Sequence, residues 1–287
     1  MASTNETPRA VELGLLLRRF RTRAGLGQQE LAAQIGRHHS EISRIERAQR
    51  GLDEDFLIAI LDAVHVSSEE RAQVLTLFRE AADPNWLAPG RSRQLTVVRA
   101  YEDAADAITN VQPQLIPGPL QTRANAIEVM IATGNTRAEA IEGADFRMAR
   151  GATIMESGVD FTAIIGEYAL RYPVCGREAA VEQLYHLRKL MDVPHITIRA
   201  VAMSSRSMAM RRGPFVLIES ERTGAVVHLE QVSGSTTMTD AKYVRGYQEA
   251  AEALRGNEEK GIRGEAMSTD ATSVLIEEIA NEMENTT

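Results

Sequence analysis

Hydrophobic side chains near the amino end recur at helical spacing in two adjacent segments. In the first, Leu31 and Ile35 lie four residues apart, and Gly36 follows where a left-handed residue can end a helix at little steric cost. In the second, Ile42 and Ile45 lie three residues apart. The pattern predicts two short helices joined by a tight turn.

The outer side of the second helix carries side chains that can donate hydrogen bonds: His39, Ser40, Ser43, Arg44 and Arg47. In a helix-turn-helix the second helix enters the major groove with its amino-terminal residues on base edges, while the first helix crosses the backbone. The spacing and the polar face together predict a DNA-reading unit in this part of the chain.

The distribution of charge supports an interaction with nucleic acid. The whole chain has a net charge of -8 and a sequence pI of about 5.4, which taken alone argues against such a partner. Residues 1–51, however, contain nine Arg and five Glu, a net charge of +4, whereas residues 52–80 carry a net charge of -5. Basic charge is therefore concentrated on the reading unit and the helix before it, where phosphates would lie.

The stretch from Leu13 to Leu61 resembles the helix-turn-helix domain of the phage-repressor type, the XRE or Cro/C1-type family. The resemblance is carried by QxELAxxIG at residues 28–36, followed by SxISRIER. His38 stands where such proteins usually have a Ser or Thr cap, and Ala48 replaces the usual glycine after the helix. Because imidazole is not a preferred capping group, we expect a looser helix start, or one that depends on a bond from His38 to a phosphate.

Roles within this unit follow from position. Arg to guanine is the commonest specific contact, and Glu can accept a hydrogen bond from cytosine. The residues predicted to contact bases are Gln28, His39, Ser40, Glu41 and Arg44. The residues predicted to contact phosphates are Gln29, Arg37, His38, Ser43, Arg47 and Arg50. The alternative for each is an ordinary solvated surface residue, and Arg44 is the best candidate.

The same resemblance implies a structural ion pair between Arg21 on the opening helix and Glu46. Loss of one partner would leave the other charge stranded. We therefore expect this pair to stabilise the domain rather than to contact DNA.

The next segments complete a helical domain and then interrupt it. Acids open a helical pattern from Asp53 to Val64, and Ser67 caps a helix that runs to about Ala82. Two prolines and a glycine follow, which favours a linker. The sequence predicts a five-helix, all-α helix-turn-helix domain over residues 1–82, a linker over 83–94 and a second domain over 95–287.

The second domain mixes strands with helices, so the fold class of the chain is predicted to be α+β. Short β-branched runs predict strands at Phe161–Ile165, His195–Val201, Phe215–Ile218 and Val226–Leu229. Amphipathic spacing predicts helices at Val98–Asn110, Glu178–Met191, Ala241–Leu254 and Ser273–Glu282.

This second part resembles the carboxy-terminal domain of WhiJ-like regulators of actinomycete type. The resemblance covers about 190 residues and is carried by PQLIPGPLQT, IIGEYALR, EQLYHL followed by HITIRAV, RRGPFVLIE and VVHLE. It implies an antitoxin-like protein that binds a small acidic partner encoded nearby.

Four polar residues are candidates for a ligand or partner site in this domain: Arg147, Glu167, Arg171 and Glu230. Each of them is alternatively a member of a structural ion pair. Met203, Met208 and Met210 form either a soft contact surface or part of the core.

Three hypotheses of different class remain open. The first is a sequence-specific, homodimeric transcription regulator that reads the major groove with the helix around residues 39–47 and is regulated through its second domain. The second is an antitoxin-like protein whose main task is to hold a small acidic partner. The third is a regulator that senses a metabolite, which requires different affinities for the effector in two states.

Catalysis, cofactors and metal ions are not expected. No phosphate-binding, nucleophile or metalloprotease motif occurs, and the six His and one Cys show no metal-ligand spacing. No apolar run is long enough to span a membrane, and the first residues do not form the apolar core of a secretory signal. We expect a cytoplasmic protein without contact to a membrane.

Overall fold

The computed structural model describes residues 7–79, 81, 85–88, 91–231, 234–256 and 263–285. The helices are α1 Pro8–Arg23, α2 Gln28–Gln34, α3 His39–Glu46, α4 Glu54–Ala63, α5 Ser68–Arg79, α6 Arg91–Glu102, α7 Arg123–Ala132, α8 Arg137–Ser157, α9 Glu167–Arg171, α10 Arg177–Leu190, α11 Ala241–Arg255 and α12 Thr269–Asn285. The strands are β1 Asn85–Ala88, β2 Ala107–Gln112, β3 Asp160–Gly166, β4 Ile196–Val201, β5 Phe215–Ser220, β6 Gly224–Gln231 and β7 Gly234–Met238.

The chain divides into two compact units. The first comprises Met1–Tyr101 and Glu230–Tyr243, and the second comprises Glu102–Leu229 and Val244–Thr287. A helical region followed by a mixed sheet with helices confirms the predicted α+β fold class.

The first unit contains the five predicted helices α1 to α5. Their apolar stripes meet in one core, in which Leu17, Phe20, Leu31, Ile42 and Leu57 are almost completely buried. Side chains at i, i+3 and i+4 lie on one face of a helix, so burying these stripes stabilises five short helices that would be marginal alone.

Both helices of the predicted reading unit end in a left-handed residue. Gly36 has φ +65° and Ala48 has φ +52°. After α3, the N–H of Ala48 donates to the carbonyl of Ile45 at 2.9 Å and the N–H of Gln49 to that of Arg44 at 2.7 Å, a Schellman ending. The prediction for Gly36 is confirmed, and Ala48 adopts the same conformation despite a steric cost of about 1–2 kcal/mol.

The backbones of α1 and α3 approach each other closely at Gly14. A β-carbon at this position would lie 2.7 Å from the carbonyl oxygens of both Ile45 and Glu46. No larger residue fits there without a shift of one helix. Gly14 therefore fixes how closely the end of α3 approaches α1.

The predicted linker, residues 83–94, contains regular structure where it is described. β1 lies within it and pairs antiparallel with β7, with Leu87 opposite Thr236, and α6 begins at Arg91. Residues 82–84 and 89–90 lie outside the described residues.

In the second unit the strands follow the order β6, β5, β2, β3, β4. β2, β3 and β4 are parallel to one another, whereas β5 runs antiparallel to both β2 and β6. The four strands predicted from β-branched runs correspond to β3, β4, β5 and β6, and these predictions are confirmed.

The predicted helix Val98–Asn110 is wrong in its second half. α6 ends at Glu102, and residues 107–112 form the central strand β2. Ile108 of this strand is paired with Phe161 on one side and with Ile218 on the other. Pairing on both edges stabilises an extended backbone that the helical spacing of the apolar residues did not indicate.

A buried ion pair in the second unit joins Glu102 to Arg150 of α8. Glu102 accepts two hydrogen bonds from Arg150, at 2.7 Å from Nε and 2.5 Å from Nη2, and both side chains are at most 7% exposed. At this depth each charge would destabilise the fold if the opposite charge were removed. The pair therefore fixes Glu102 against α8 within the second unit.

Within the described part of the chain, no helix combines the length and the apolar character that crossing a bilayer requires.

We predict that an exposed ion pair between α1 and α5 makes the first unit sensitive to acid. The Arg23 guanidinium donates to both oxygens of Glu70, at 2.5 and 2.9 Å, and this contact, together with the backbone N–H of Ser67, lowers the pKa of Glu70 to about 2. A carboxyl whose pKa is depressed in the folded state stabilises it above the unfolded pKa, and this stabilisation disappears as the pH falls from about 5 towards 2. Arg23→Gln should flatten the decline of melting temperature over this range.

Arg19→Gln, which removes an exposed Arg from the same helix, is the matched control. It should keep the wild-type dependence of melting temperature on pH. Equal acid slopes for wild type and Arg23→Gln would contradict the assignment.

Candidate DNA interface

The start of α3 is capped by an imidazole. Nδ1 of His38 accepts the backbone N–H of Ser40 at 3.3 Å and lies 2.8 Å from the Ser40 hydroxyl. Oε2 of Glu41 in turn accepts the backbone N–H of His38 at 3.1 Å, which completes a capping box. The expectation of a helix start that depends on a phosphate is not met, because His38 and Glu41 satisfy these N–H groups themselves.

Glu41 and Arg50 form an ion pair with each other. The backbone N–H of His38 and the Arg50 guanidinium lower the pKa of Glu41. Glu41 was predicted to read cytosine and Arg50 to contact a phosphate. Since both Glu41 oxygens are engaged, its role in this structure is to hold the start of α3, and a base contact would break one of these bonds.

Arg47 and Arg37 have neutral groups as their direct contacts. Arg47 donates to the Ser43 carbonyl at 3.1 Å and to the Ser43 hydroxyl at 2.9 Å, both neutral groups. The Arg37 guanidinium lies 4.6 Å from the centre of the Phe56 ring. Neither forms an ion pair within the described ranges, so both can attract phosphates, and Ser43 positions Arg47.

The exposed residues Arg44 and His39 project from the first two turns of α3. The His39 ring lies 4.4 Å from that of His38. Over residues 7–79, nothing forms a hydrogen bond or an ion pair with the Arg44 side chain. Ser40 is half-buried beside them, and Gln29 is exposed at the start of α2. Of the predicted base contacts, Arg44 and His39 are the most accessible.

Behind this surface, one buried carboxylate ties three helices together. Glu46 of α3 is 6% exposed and accepts hydrogen bonds from Arg21 of α1 at 2.6 and 3.0 Å and from Gln28 of α2 at 2.8 Å. Arg21 also donates to the Leu26 carbonyl at 2.7 Å. The hydrogen bond to Glu46 raises the pKa of Arg21.

The ion pair expected between Arg21 and Glu46 is thus present, with Gln28 as a third member. Gln28 was predicted to contact DNA through its side-chain amide, but this amide nitrogen is bound to Glu46. The spacing QxELAxxIG gives no indication of this partner, because it comes from another helix.

The capping box, by contrast, could have been predicted from the sequence. Glu41 follows His38 by three residues, the spacing of a capping box. The unusual imidazole obscured it, because Ser and Thr are the residues normally found at that position.

In the second unit, the structure directly joins two of the four predicted site residues. Arg171 donates to Glu167 at 2.6 Å and to Glu282 at 2.8 Å, and the backbone N–H of Met203 donates to Glu167 at 2.9 Å. Arg147 lies on α8 and donates to Gln121 at 2.8 Å. Glu230 is exposed on β6 and belongs to the first unit.

Two family models match the chain. One, described as a helix-turn-helix domain, matches residues 12–74. The other, described as a domain of unknown function (DUF5753), matches residues 95–278. No curated protein matches. The first match confirms the predicted helix-turn-helix, and neither match specifies a ligand, a partner or an operator.

We predict that Glu46→Ala destabilises the first unit by about 3–5 kcal/mol, because it leaves a largely buried guanidinium without its counter-charge. Chemical denaturation measures this loss. Gln34→Ala, at an exposed position of α2, is the control and should change the free energy of unfolding by less than about 0.5 kcal/mol. A loss below about 1 kcal/mol for Glu46→Ala would show that the network is not structural.

Proposed function

Because the chain belongs to the DUF5753 family over residues 95–278 and carries a helix-turn-helix domain ahead of it, we propose that it is a sequence-specific transcription regulator of the XRE type. α3 enters the major groove, and α2 lies across the backbone. The observation that carries the proposal is Arg44, an exposed arginine on the recognition helix. The other charged groups of this helix already have partners or lie near its ends.

In this proposal Arg44, His39 and Ser40 contact the bases. The five N–H groups of an arginine can bind the O6 and N7 acceptors of one guanine, and such a contact is worth about 1–3 kcal/mol of discrimination. The Arg44 guanidinium needs no other bond to be broken before it makes this contact.

Arg37, Arg47 and the amino end of α2 contact the phosphates. Arg37 follows α2, and Arg47 ends α3, so the two cations lie at opposite ends of the segment that contains the recognition helix. Arg50 joins them once a phosphate replaces Glu41 as its partner. These contacts set affinity and its dependence on salt, whereas the base contacts set sequence preference.

A homodimer is part of the proposal. One recognition helix reads only a few base pairs, and a two-fold dimer doubles the readout on half-sites about one helical turn apart. The acidic remainder of the chain weakens binding to DNA of arbitrary sequence. Specific binding therefore depends more on two recognition helices acting together in a dimer.

Arg44→Ala tests this proposal. The DNA sequence preferred by the full chain is first selected from a random pool, and binding is then measured by titration. We expect Arg44→Ala to bind this DNA at least ten-fold more weakly while its melting temperature stays at the wild-type value. Arg79→Ala removes an exposed Arg from α5 and should bind normally.

Unchanged affinity in Arg44→Ala, or a melting temperature far below wild type, would refute the role assigned to Arg44. Failure to select any sequence would refute the proposal as a whole.

A second candidate function, antitoxin-like binding of a small acidic protein, is supported by an exposed surface of the second unit. Tyr168, Tyr172, Val174, Met203 and Met208 are between 46% and 69% exposed. The Tyr168 and Tyr172 rings lie 4.9 Å apart, and the Met203–Glu167 hydrogen bond brings the loop after β4 to the start of α9. Large exposed apolar side chains grouped in this way are typical of protein contacts.

The loop that contributes the two methionines is basic. Residues 202–212 contain three Arg and no acid, and Arg206, Arg211 and Arg212 are all exposed. Methionine adapts to varied apolar partners, and a positive rim favours a negative partner. An acidic protein with apolar anchors is the partner that fits these residues.

Co-expression with the acidic product of an adjacent gene tests this second function. We expect the double variant Met203→Ser, Met208→Ser to weaken the complex about ten-fold or more, as loss of central contacts does. Val274→Ser, at a 55% exposed position on α12, is the control and should bind normally. Equal affinities for all three proteins would contradict this site.

A further inference from the structure

A row of three threonines crosses the parallel part of the sheet. Strand register places Thr109 opposite Thr162, and Thr162 opposite Thr197, so their side chains share one face. Thr109 is fully buried and accepts a hydrogen bond from Arg255 at 2.9 Å. Thr162 and Thr197 are half-buried, and neither hydroxyl has a hydrogen-bond partner among the residues that the structure describes.

These two free hydroxyls line a cavity of about 360 Å³ within the second unit. Asp160, Phe161, His195 and Arg255 also line it. The volume exceeds what one or two water molecules need, since each occupies about 30 Å³ of the liquid. The cavity has room for a small organic molecule.

The cation of this cavity is held in place from two sides. Arg255 donates to Thr109, and its other terminal nitrogen forms an ion pair with Glu219 at 3.6 Å. Its backbone carbonyl accepts a hydrogen bond from the Arg199 guanidinium, which also donates to the Ala266 and Met267 carbonyls at 2.7 and 2.6 Å. The guanidinium is therefore positioned before any ligand arrives.

An anion lies at the other end of the cavity. Asp160 is exposed and precedes Thr162 by two residues on β3, so it lies on the same face about 7 Å along the strand. Its carboxylate forms no ion pair within the described residues. His195 beside it donates from Nε2 to the Ile154 carbonyl at 3.2 Å, which fixes the ring at the rim.

The lining excludes ligands that need stacking. Phe161, the one aromatic hydrocarbon ring among the lining residues, is 1% exposed and lies on the opposite face of the sheet, paired with Ile108. Nucleobases commonly stack on an exposed aromatic face, and Phe161 offers none. A compact, charged and polar ligand fits better.

We propose that this cavity binds a free polar α-amino acid, an assignment that goes beyond DNA binding. Its carboxylate accepts hydrogen bonds from Thr162, Thr197 and Arg255, and its ammonium group donates to Asp160. The two charged ends of an α-amino acid can bridge the distance between Thr162 and Asp160 when each makes a hydrogen bond of about 2.8 Å. The mostly polar lining favours a ligand with a polar side chain over one with an apolar side chain.

Calorimetric titration of the full chain, without DNA, tests this proposal. The probes are L-serine, L-glutamine and L-asparagine, with succinate and putrescine as ligands that carry only one sign of charge. We expect at least one of the three amino acids to bind, and neither succinate nor putrescine to bind measurably.

Asp160→Asn and the double variant Thr162→Val, Thr197→Val should each weaken amino-acid binding at least ten-fold while the melting temperature stays at the wild-type value. Asp192→Asn neutralises an exposed acid that does not line the cavity and should bind like wild type. Arg255→Gln should also lose binding, and the other variants decide the question if it fails to fold.

Absence of binding by all three amino acids at about 10 mM, a concentration that would nearly saturate a site with a Kd of about 1 mM, would overturn the proposal. Binding of succinate or putrescine as tight as that of the amino acids would overturn it too, as would unchanged binding in both Asp160→Asn and the double variant. Because DNA is absent, none of these results bears on the regulator function.

Discussion

The carboxylate of Glu46 is the interaction on which the DNA-binding part of the molecule depends. It accepts hydrogen bonds from Arg21 and Gln28 and so joins the first three helices at one buried point. Gly14 lets α1 approach α3 to a distance that no β-carbon would permit. Together these contacts fix the angle at which α3 presents its outer side chains.

Joining helices through a buried charge network has a high cost in free energy, because each charge loses its hydration. Apolar contacts alone would hold α3 equally well, but they would allow it to rotate or slide among similar arrangements. Three hydrogen bonds to one carboxylate permit only one geometry. For a helix whose function requires a few side chains to meet base edges within hydrogen-bond distance, orientation matters more than the last increment of stability.

The polar residues of α3 and its flanks divide into those that hold the helix and those that stay available for the proposed DNA contacts. Glu41, Arg50 and His38 satisfy the helix start and each other, and Ser43 positions Arg47. Arg44 and His39 remain. Helical spacing predicted that His39, Ser40, Ser43, Arg44 and Arg47 share the outer face of this helix. It could not separate the two groups, because whether Glu41 meets a base or Arg50 depends on contacts across a turn that has no periodic pattern.

The same contrast holds for the rest of the fold. Helices α1 to α5 and strands β3 to β6 were predictable, because apolar spacing and β-branched runs show which face or strand is buried. β2 was not, since its residues Ala107 to Val111 become a strand only by pairing with two neighbours distant in sequence. The cavity beside Thr162 and Thr197 depends on that pairing as well, so no motif indicated Asp160 and Arg255 as a pair.

A double-mutant cycle between Arg44 and a guanine tests the central claim most directly. Each guanine of the selected DNA is replaced in turn by 7-deazaguanine, which lacks the N7 acceptor. Our account predicts that one replacement in each half-site weakens binding of the wild type but leaves the affinity of Arg44→Ala unchanged. Equal losses for both proteins at every guanine would mean that Arg44 does not read the DNA, and the orientation assigned to α3 would then be wrong.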